Sequence, residues 1–330
     1  MSETLTCDFV YEIFNGGYSP KFKCLDQNGK KVKVKYFNGD NRELFGEVAA
    51  SGLFASLGFL TDQNRMVQVD CRNCPPNDPW SWVDPRNGIL QKGLAEGKTI
   101  NQIKAERQSE ITPLRHFAFA AVEKKVKGEQ IGLWGWDELF RLDKTSTPVA
   151  ERDALKLLAA LVQHADNGAN QNEMICLPEN VIKGASGTVT DCKQAILYVQ
   201  DLGGTFGGGG PVIHNGGAAN FEKWKNASVW KNADSCRFNL IPAGPPLLSH
   251  LRTDTISRDG RDFLLQKLDQ ISSVPEKLEN LFRAAGMDTG GFHPENHSAR
   301  EWADVLRTKI QDIRNAACQP EDHNGYGTGG

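Results

Sequence analysis

Two short segments place the strongest demand on any fold this chain can adopt. The first, Leu161-Val-Gln-His-Ala-Asp-Asn-Gly-Ala-Asn-Gln-Asn172, ends an apolar helical run in a loop crowded with side-chain oxygens: Asp166, Asn167, Asn170, Gln171 and Asn172. The second, Ile196-Leu-Tyr-Val-Gln-Asp-Leu-Gly-Gly-Thr-Phe-Gly207, is an apolar strand pattern that stops at Asp201 and enters a turn tight enough to require glycine. One carboxylate is thus delivered by a helix end and the other by a strand end. Each stands beside amide or glycine residues, and the side-chain oxygens of the first loop suit a hard cation.

The rest of the composition limits the partners. At 330 residues the chain can form one large domain or two lobes with a cleft, and two lobes are expected. A net charge of −3 with 24% charged residues leaves no basic surplus to neutralise a run of phosphates, so nucleic acid is not an expected partner. No apolar run approaches the roughly 20 residues that span a bilayer. Met1-Ser-Glu-Thr also lacks the basic and apolar regions of a signal peptide, which leans the expectation towards the cytoplasm.

The eight cysteines pull the other way. Cys7 and Cys24 flank the hairpin turn signal Asn15-Gly16-Gly17, and Cys176 and Cys192 bracket a polar excursion between the two aspartate segments. Cys71-Arg-Asn-Cys74 has half of a zinc-site spacing with no second half, which points to a disulfide or two loop thiols. Disulfides in a mature exported protein and a reduced cytosolic set both fit, and the compartment stays open.

Along the chain, residues 6–14, 22–25 and 31–36 read as strands, the last alternating basic and apolar residues. Residues 41–57 read as a helix with Leu44, Val48, Leu53, Phe54 and Leu57 at helical spacing and Gly58 as its stop. Residues 66–70 and 117–122 are further strands. Between them, residues 71–101 are rich in proline, glycine and tryptophan and read as an insertion or a loop. Beyond a joining segment at 123–128, Thr147-Pro148 opens a helix that buries Leu155, Leu158, Leu161 and Val162 and runs up to His164. Leucine and aromatic stripes predict two or three closing helices within 261–271, 275–285 and 298–317, and the glycine-rich tail 321–330 is expected to be disordered. The domain reading is an N-terminal unit at 1–125, a C-terminal unit at 126–320 and the tail.

The N-terminal unit adds Lys35 on a strand and Glu47 on the helix that follows, with a glycine turn at Gly16 and Gly17 suited to fold over a ligand. The ordered set of Lys35, Glu47, the strand ending at Val122, His164-Ala-Asp166 and Asp201-Leu-Gly203 resembles the protein-kinase-like superfamily. Its nearest flavour is the atypical branch of phosphatidylinositol-kinase-like and HipA-like enzymes, and it resembles uncharacterised bacterial kinase-like proteins of that type.

The resemblance implies an α+β, two-lobed kinase-like fold with a small antiparallel-sheet-plus-helix N-lobe and a mostly helical C-lobe. ATP and Mg2+ would lie between the lobes, with an unknown hydroxyl-bearing acceptor: a protein, a small molecule or a lipid head group. Asp166 would orient the acceptor hydroxyl. Lys35, steadied by Glu47, would contact phosphates, with Gly16, Gly17 and Val122 around the nucleotide. Asp201 with Gln171, or a flanking Asn170 or Asn172, would hold the metal. Two departures stand out. Gln171 occupies the place of the family's metal-binding asparagine, and Asp166 and Asp201 are 35 positions apart, wider than the family spacing. A nucleotide-binding pseudokinase or interaction module, and an AMP transferase on the same fold, are the alternative readings.

Overall fold

The computed structural model describes residues 3–17, 19–39, 41–136, 139, 147–165, 168, 172–208, 219–240, 255–289 and 297–318. The catalytic and metal candidates Asp166, Asn170 and Gln171, and the tail 321–330, lie outside the described residues.

The chain opens as a barrel. Strands β1 (Thr4–Val10), β2 (Lys21–Asp26), β3 (Lys31–Tyr36), β4 (Gln63–Cys74) and β5 (Thr112–Lys124) close in the order β1-β2-β3-β5-β4. All neighbouring pairs are antiparallel except β1 with β4, which run parallel and close the ring. An antiparallel sheet was the expectation. The closure arises because β4 runs on to Cys74 and pairs with β5 along one edge and with β1 along the other.

Alternation fills the interior. Phe9, Phe22, Tyr36 and Phe117 point inward and pack ring against ring, with Tyr36 and Phe117 4.9 Å apart between centroids. The barrel carries two disulfides, Cys7–Cys24 and Cys71–Cys74.

Residues 71–101, expected to be an insertion or a loop, carry helices of their own. After β4 come three short helices: α2 (Trp80–Val83), α3 (Ile89–Ala95) and α4 (Ile100–Glu106). A reciprocal Thr99–Gln102 capping box starts the last of them. Trp80, Trp82, Leu90 and Ile103 bury against the barrel, and this burial stabilises helices too short to hold on propensity alone.

Helix α1 (Glu43–Ser56) lies between the barrel and a larger core. It ends where Gly58, with φ +82, supplies the left-handed turn. In the C-terminal part, β6 (Glu129–Leu133), β7 (Asn172–Cys176) and β10 (Ala195–Val199) form an antiparallel sheet in the order β10-β7-β6. The hairpin β8 (Val181–Lys183) and β9 (Val189–Cys192) is tied back by Cys176–Cys192.

Helix α5 (Val149–Val162) is buried along nearly its whole length and packs on α7 (Arg258–Ser272). Also in this part are α6 (Phe221–Asn226), the hairpin β11 (Trp230–Asn232) and β12 (Arg237–Phe238), α8 (Pro275–Ala284) and α9 (Ala299–Asn315). Phe206, Trp224, Phe282 and Trp302 form its aromatic centre. Cys236–Cys318 joins the second hairpin to the segment after α9, a pairing that no local pattern in the sequence suggested. No helix among the described residues is long and apolar enough to cross a membrane.

Candidate active site

Strand β3 turns Val34 and Tyr36 into the barrel and Lys33 and Lys35 out of it, and α1 covers only the second of these lysines. Lys33 pairs with Glu123, and Lys31 with Glu12 at 2.5 Å. Lys35 is 6% exposed, and its Nζ lies 2.5 Å from Glu47 Oε2, 3.5 Å from Glu43 Oε1 and 3.7 Å from Asp201 Oδ1. The second Glu47 oxygen accepts from Asn64 Nδ2 at 3.4 Å, and Glu43 accepts from the Ser19 hydroxyl at 2.5 Å. Residues of α1 and of the segment after β10 therefore converge on one ammonium of β3, and Ser19, just after the glycine turn, binds Glu43 beside it.

Electrostatics follow from that geometry. Burial opposes the charge on Lys35, but Glu47, Asp201 and Glu43 outweigh it and hold the ammonium well above the ordinary lysine range. Asp201 is held below its usual value: burial works against ionisation, and Lys35, Lys33 and Lys21 overcome it. The site gathers one central cation and three carboxyl groups; burial, with Lys35 opposing, raises Glu47 to about 7, and the cluster is partly open at Asp201, whose side chain is 38% exposed.

Asp201 adopts φ +50, a left-handed conformation uncommon for a residue with a side chain. It holds because the chain on either side is tied down. Val199 N–H donates to Leu60 C=O at 2.9 Å, and the Tyr198 hydroxyl donates to Asp62, which fixes β10 to the start of β4. On the far side, the Thr205 hydroxyl donates to Leu202 C=O at 2.9 Å. Gly203 is needed for close approach, since a Cβ there would stand 2.3 Å from Glu43 Cγ.

The two aspartate segments are joined through backbone. Ala165, the residue before Asp166, donates its N–H to Gly204 C=O at 2.8 Å, and Phe206 N–H donates to Val162 C=O at 2.6 Å. His164 is fully buried with its ring edge-to-face with Trp136, and burial pushes its imidazole down to about 4, with Asp201 opposing. It is neutral near pH 7.

Of the metal candidates, Asn172 is the one besides Asp201 that is described. It is fully buried at the start of β7, directly across from Val199, two residues before Asp201. Its Nδ2 donates to Gly168 C=O at 3.3 Å while its buried Oδ1 has no hydrogen-bond partner among the described residues. An ionised carboxylate and an unclaimed amide oxygen at one sheet end fit a hard cation by donor type. Among the described residues, no three His, Cys, Asp or Glu side chains are grouped as a metal site by themselves.

The glycine turn and Val122 divide. Gly17 has φ +83 and lies against Lys21, whose Nζ a Cβ would meet at 2.0 Å; Gly16 borders open space. Val122 pairs with Val34 and packs within the barrel, so the cross-strand neighbour of Lys35 on β5 is Ala121. Sequence reasoning missed Lys21 and Glu43. Lys21 alternates with Lys23 just as Lys31 alternates with Lys33, and nothing in the pattern singles it out. Glu43, one helical turn before Glu47, was a recoverable signal, since positions four apart share a helix face.

Matched against known protein families and curated proteins, the sequence finds no counterpart. Among solved structures, the proinflammatory kinase CtkA of Helicobacter pylori is 13% identical, with a TM-score of 0.43 over 96% of each chain. The Golgi casein kinase with Mn/ADP bound is 12% identical, with a TM-score of 0.42 over 96% of this chain and 73% of that one. A second Golgi casein kinase structure gives 10% and 0.37 over 98% and 73%. With these TM-scores below 0.5, the functional reading rests on the geometry of this chain.

Proposed function

We propose that this chain is a two-lobed, kinase-like phosphotransferase that moves a phosphoryl group from ATP to a hydroxyl acceptor, with the lobes meeting near residue 125. The observation that carries the reading is the contact of Lys35 with both Glu47 and Asp201. A lysine on a strand, held by a glutamate of the next helix and facing a strand-end aspartate, is how a site positions an ammonium over phosphates beside a metal ligand.

In this reading Lys35 binds phosphate oxygens, and Glu47 keeps its flexible stem pointed at them. Asp201 and Asn172, with Gln171 or Asn170 as the further candidates, would hold Mg2+, which when bound neutralises charge on the phosphates. Asp166 orients the acceptor hydroxyl and accepts its proton. His164, neutral and buried, supports the backbone on which Asp166 is carried. Rate enhancement then comes from positioning and fixed charge, with no covalent intermediate on the protein. The four cysteine pairs favour an exported location for this activity.

The test is mass spectrometry of acceptor mixtures incubated with ATP and Mg2+. Products that gain one phosphate support the reading. Products that gain AMP redirect it to nucleotide transfer, and no product with any protein, sugar or lipid-headgroup acceptor counts against it.

A further inference from the structure

Lys21 is 7% exposed and sits at the start of β2, directly across from Lys35. Its neighbours Lys23, Lys31, Lys33 and Lys35 each reach a carboxylate. Lys21 reaches none within salt-bridge distance among the described residues. Its Nζ stands 5.4 Å from the Phe14 ring centroid and 5.3 Å from that of Trp80, and rests against the backbone of Gly17.

Contacts of this kind with aromatic faces are worth about 0.5–2 kcal/mol, whereas an unpaired buried ion costs several. An ammonium left in that condition, beside the glycine turn and beside Lys35, is a site for an anion. The turn at 15–17 has two adjacent glycines but not the longer spaced series by which a loop wraps phosphates in backbone N–H groups. A side chain can supply the missing positive charge.

We propose that Lys21 is a second polyphosphate ligand, placed under the glycine turn so that the site selects di- and triphosphates over monophosphates and nucleosides. This rests on the nucleotide reading above and names the residue that sets its phosphate preference. Lys35 binds one part of the chain of phosphates, and Lys21 binds the part under residues 15–17.

The charged groups that face Lys21 are Lys35 and Lys33 from β3, Asp201 from the segment after β10, Glu43 from α1 and the buried Asp84 at the end of α2, which also pairs with Arg86. Burial, then Lys35 and Lys33, push its amine down to about 8, with Asp201 and Glu43 opposing. Between about pH 7 and 8 the Lys21 contribution to polyphosphate affinity should therefore be level. Above that it should fall, by up to about 10-fold per pH unit, because the free protein must take up a proton on binding.

The experiment is calorimetric titration of the full chain with inorganic tripolyphosphate, ATP and adenosine at pH 7 and pH 9.5. The wild type is compared with Lys21→Gln, Lys21→Met and Gly17→Ala, the last displacing the ammonium without removing it. Thermal melts confirm that each variant is folded. Both Lys21 variants are expected to lose about 10-fold or more in affinity for tripolyphosphate and ATP at pH 7, to keep the wild-type response to adenosine, and to lose the decline between pH 7 and 9.5. Wild-type tripolyphosphate affinity in the Lys21 variants, or no tripolyphosphate binding by the wild type, overturns the proposal. Tripolyphosphate binding that depends on Lys21 without any nucleotide binding upholds the anion site and removes the nucleotide reading instead.

Discussion

Lys35 Nζ stands 2.5 Å from Glu47 Oε2 although twelve residues and a change from strand to helix separate the two. Neither helical spacing nor a shared strand face makes that contact; it needs α1 laid across the outer face of β3. The same placement brings Glu43 and, from far along the chain, Asp201 to the ammonium. One buried cation thereby reports on the packing of the barrel, the helix and the segment after β10.

Removal of that cation should be costly. Lys35→Met leaves Glu47, Glu43 and Asp201 facing one another, and a loss of about 3–5 kcal/mol is expected in urea unfolding at pH 7. Glu47→Gln should cost less, because Lys35 keeps two carboxylates. The Lys35→Met deficit should shrink at pH 5, where Glu47, raised by burial to about 7, is protonated and no longer needs the ammonium. Equal stability of Lys35→Met and wild type at pH 7 would mean the cluster is not charged as described.

Asp62 predicts a pH dependence of opposite sense to an ordinary ion-paired carboxylate. It is 4% exposed, and burial, with Glu123 adding repulsion, raises its carboxyl to about 6. Below about pH 4 the group is protonated in both folded and unfolded chains. As pH rises from about 4 through 6 the unfolded chain ionises first, so the folded state loses stability by up to about 3 kcal/mol. Asp62→Asn should lack this decline when stability is followed by denaturant unfolding from pH 4 to 7.

The disulfides differ in what they close. Cys236–Cys318 spans 82 residues and Cys71–Cys74 spans 3. By chain entropy alone, the paired serine variants should lose about 4–5 and about 2 kcal/mol respectively. Melting temperatures of the two double variants provide the comparison, and a larger loss for the Cys71/Cys74 pair would contradict it.

Much of this was legible in the sequence, for physical reasons that differ by element. The alternation at 31–36 and the amphipathic stripe at 41–57 are local patterns, so β3, α1 and the Lys35–Glu47 order could be read directly. The glycine turn marked the Cys7–Cys24 hairpin. Closure of the barrel by the parallel β1–β4 pair could not be read, because parallel pairing joins segments with no turn between them. Proline and tryptophan in 71–101 suggested an insertion or loop and did not reveal its helices, because helices of four to seven residues are set by burial of Trp80 and Trp82 rather than by periodicity. The burial of Lys21 was missed for a related reason: it depends on which face a covering element buries, whereas Glu43 could have been read from its spacing to Glu47.

Asp166 is expected to act in the chemical step. Asp166→Ala should leave ATP affinity within about twofold of wild type and lower turnover by about 10²-fold or more, in the range of positioned acid–base groups. Rapid-quench measurement of turnover, beside calorimetry of binding, separates the two effects. Lost binding with unchanged turnover per bound nucleotide would exchange the roles of Asp166 and Asp201.

The central claim is a metal-dependent nucleotide site at Asp201, and calorimetric titration with ATP in the presence and absence of Mg2+ tests it most directly. The amide in Asp201→Asn keeps the shape of the carboxylate and removes its charge. The wild type should bind ATP with Mg2+ at least about 10-fold more tightly than without it, and Asp201→Asn should show no such gain. ATP binding that is indifferent to Mg2+ in the wild type, or a full Mg2+ gain retained in Asp201→Asn, would contradict the account.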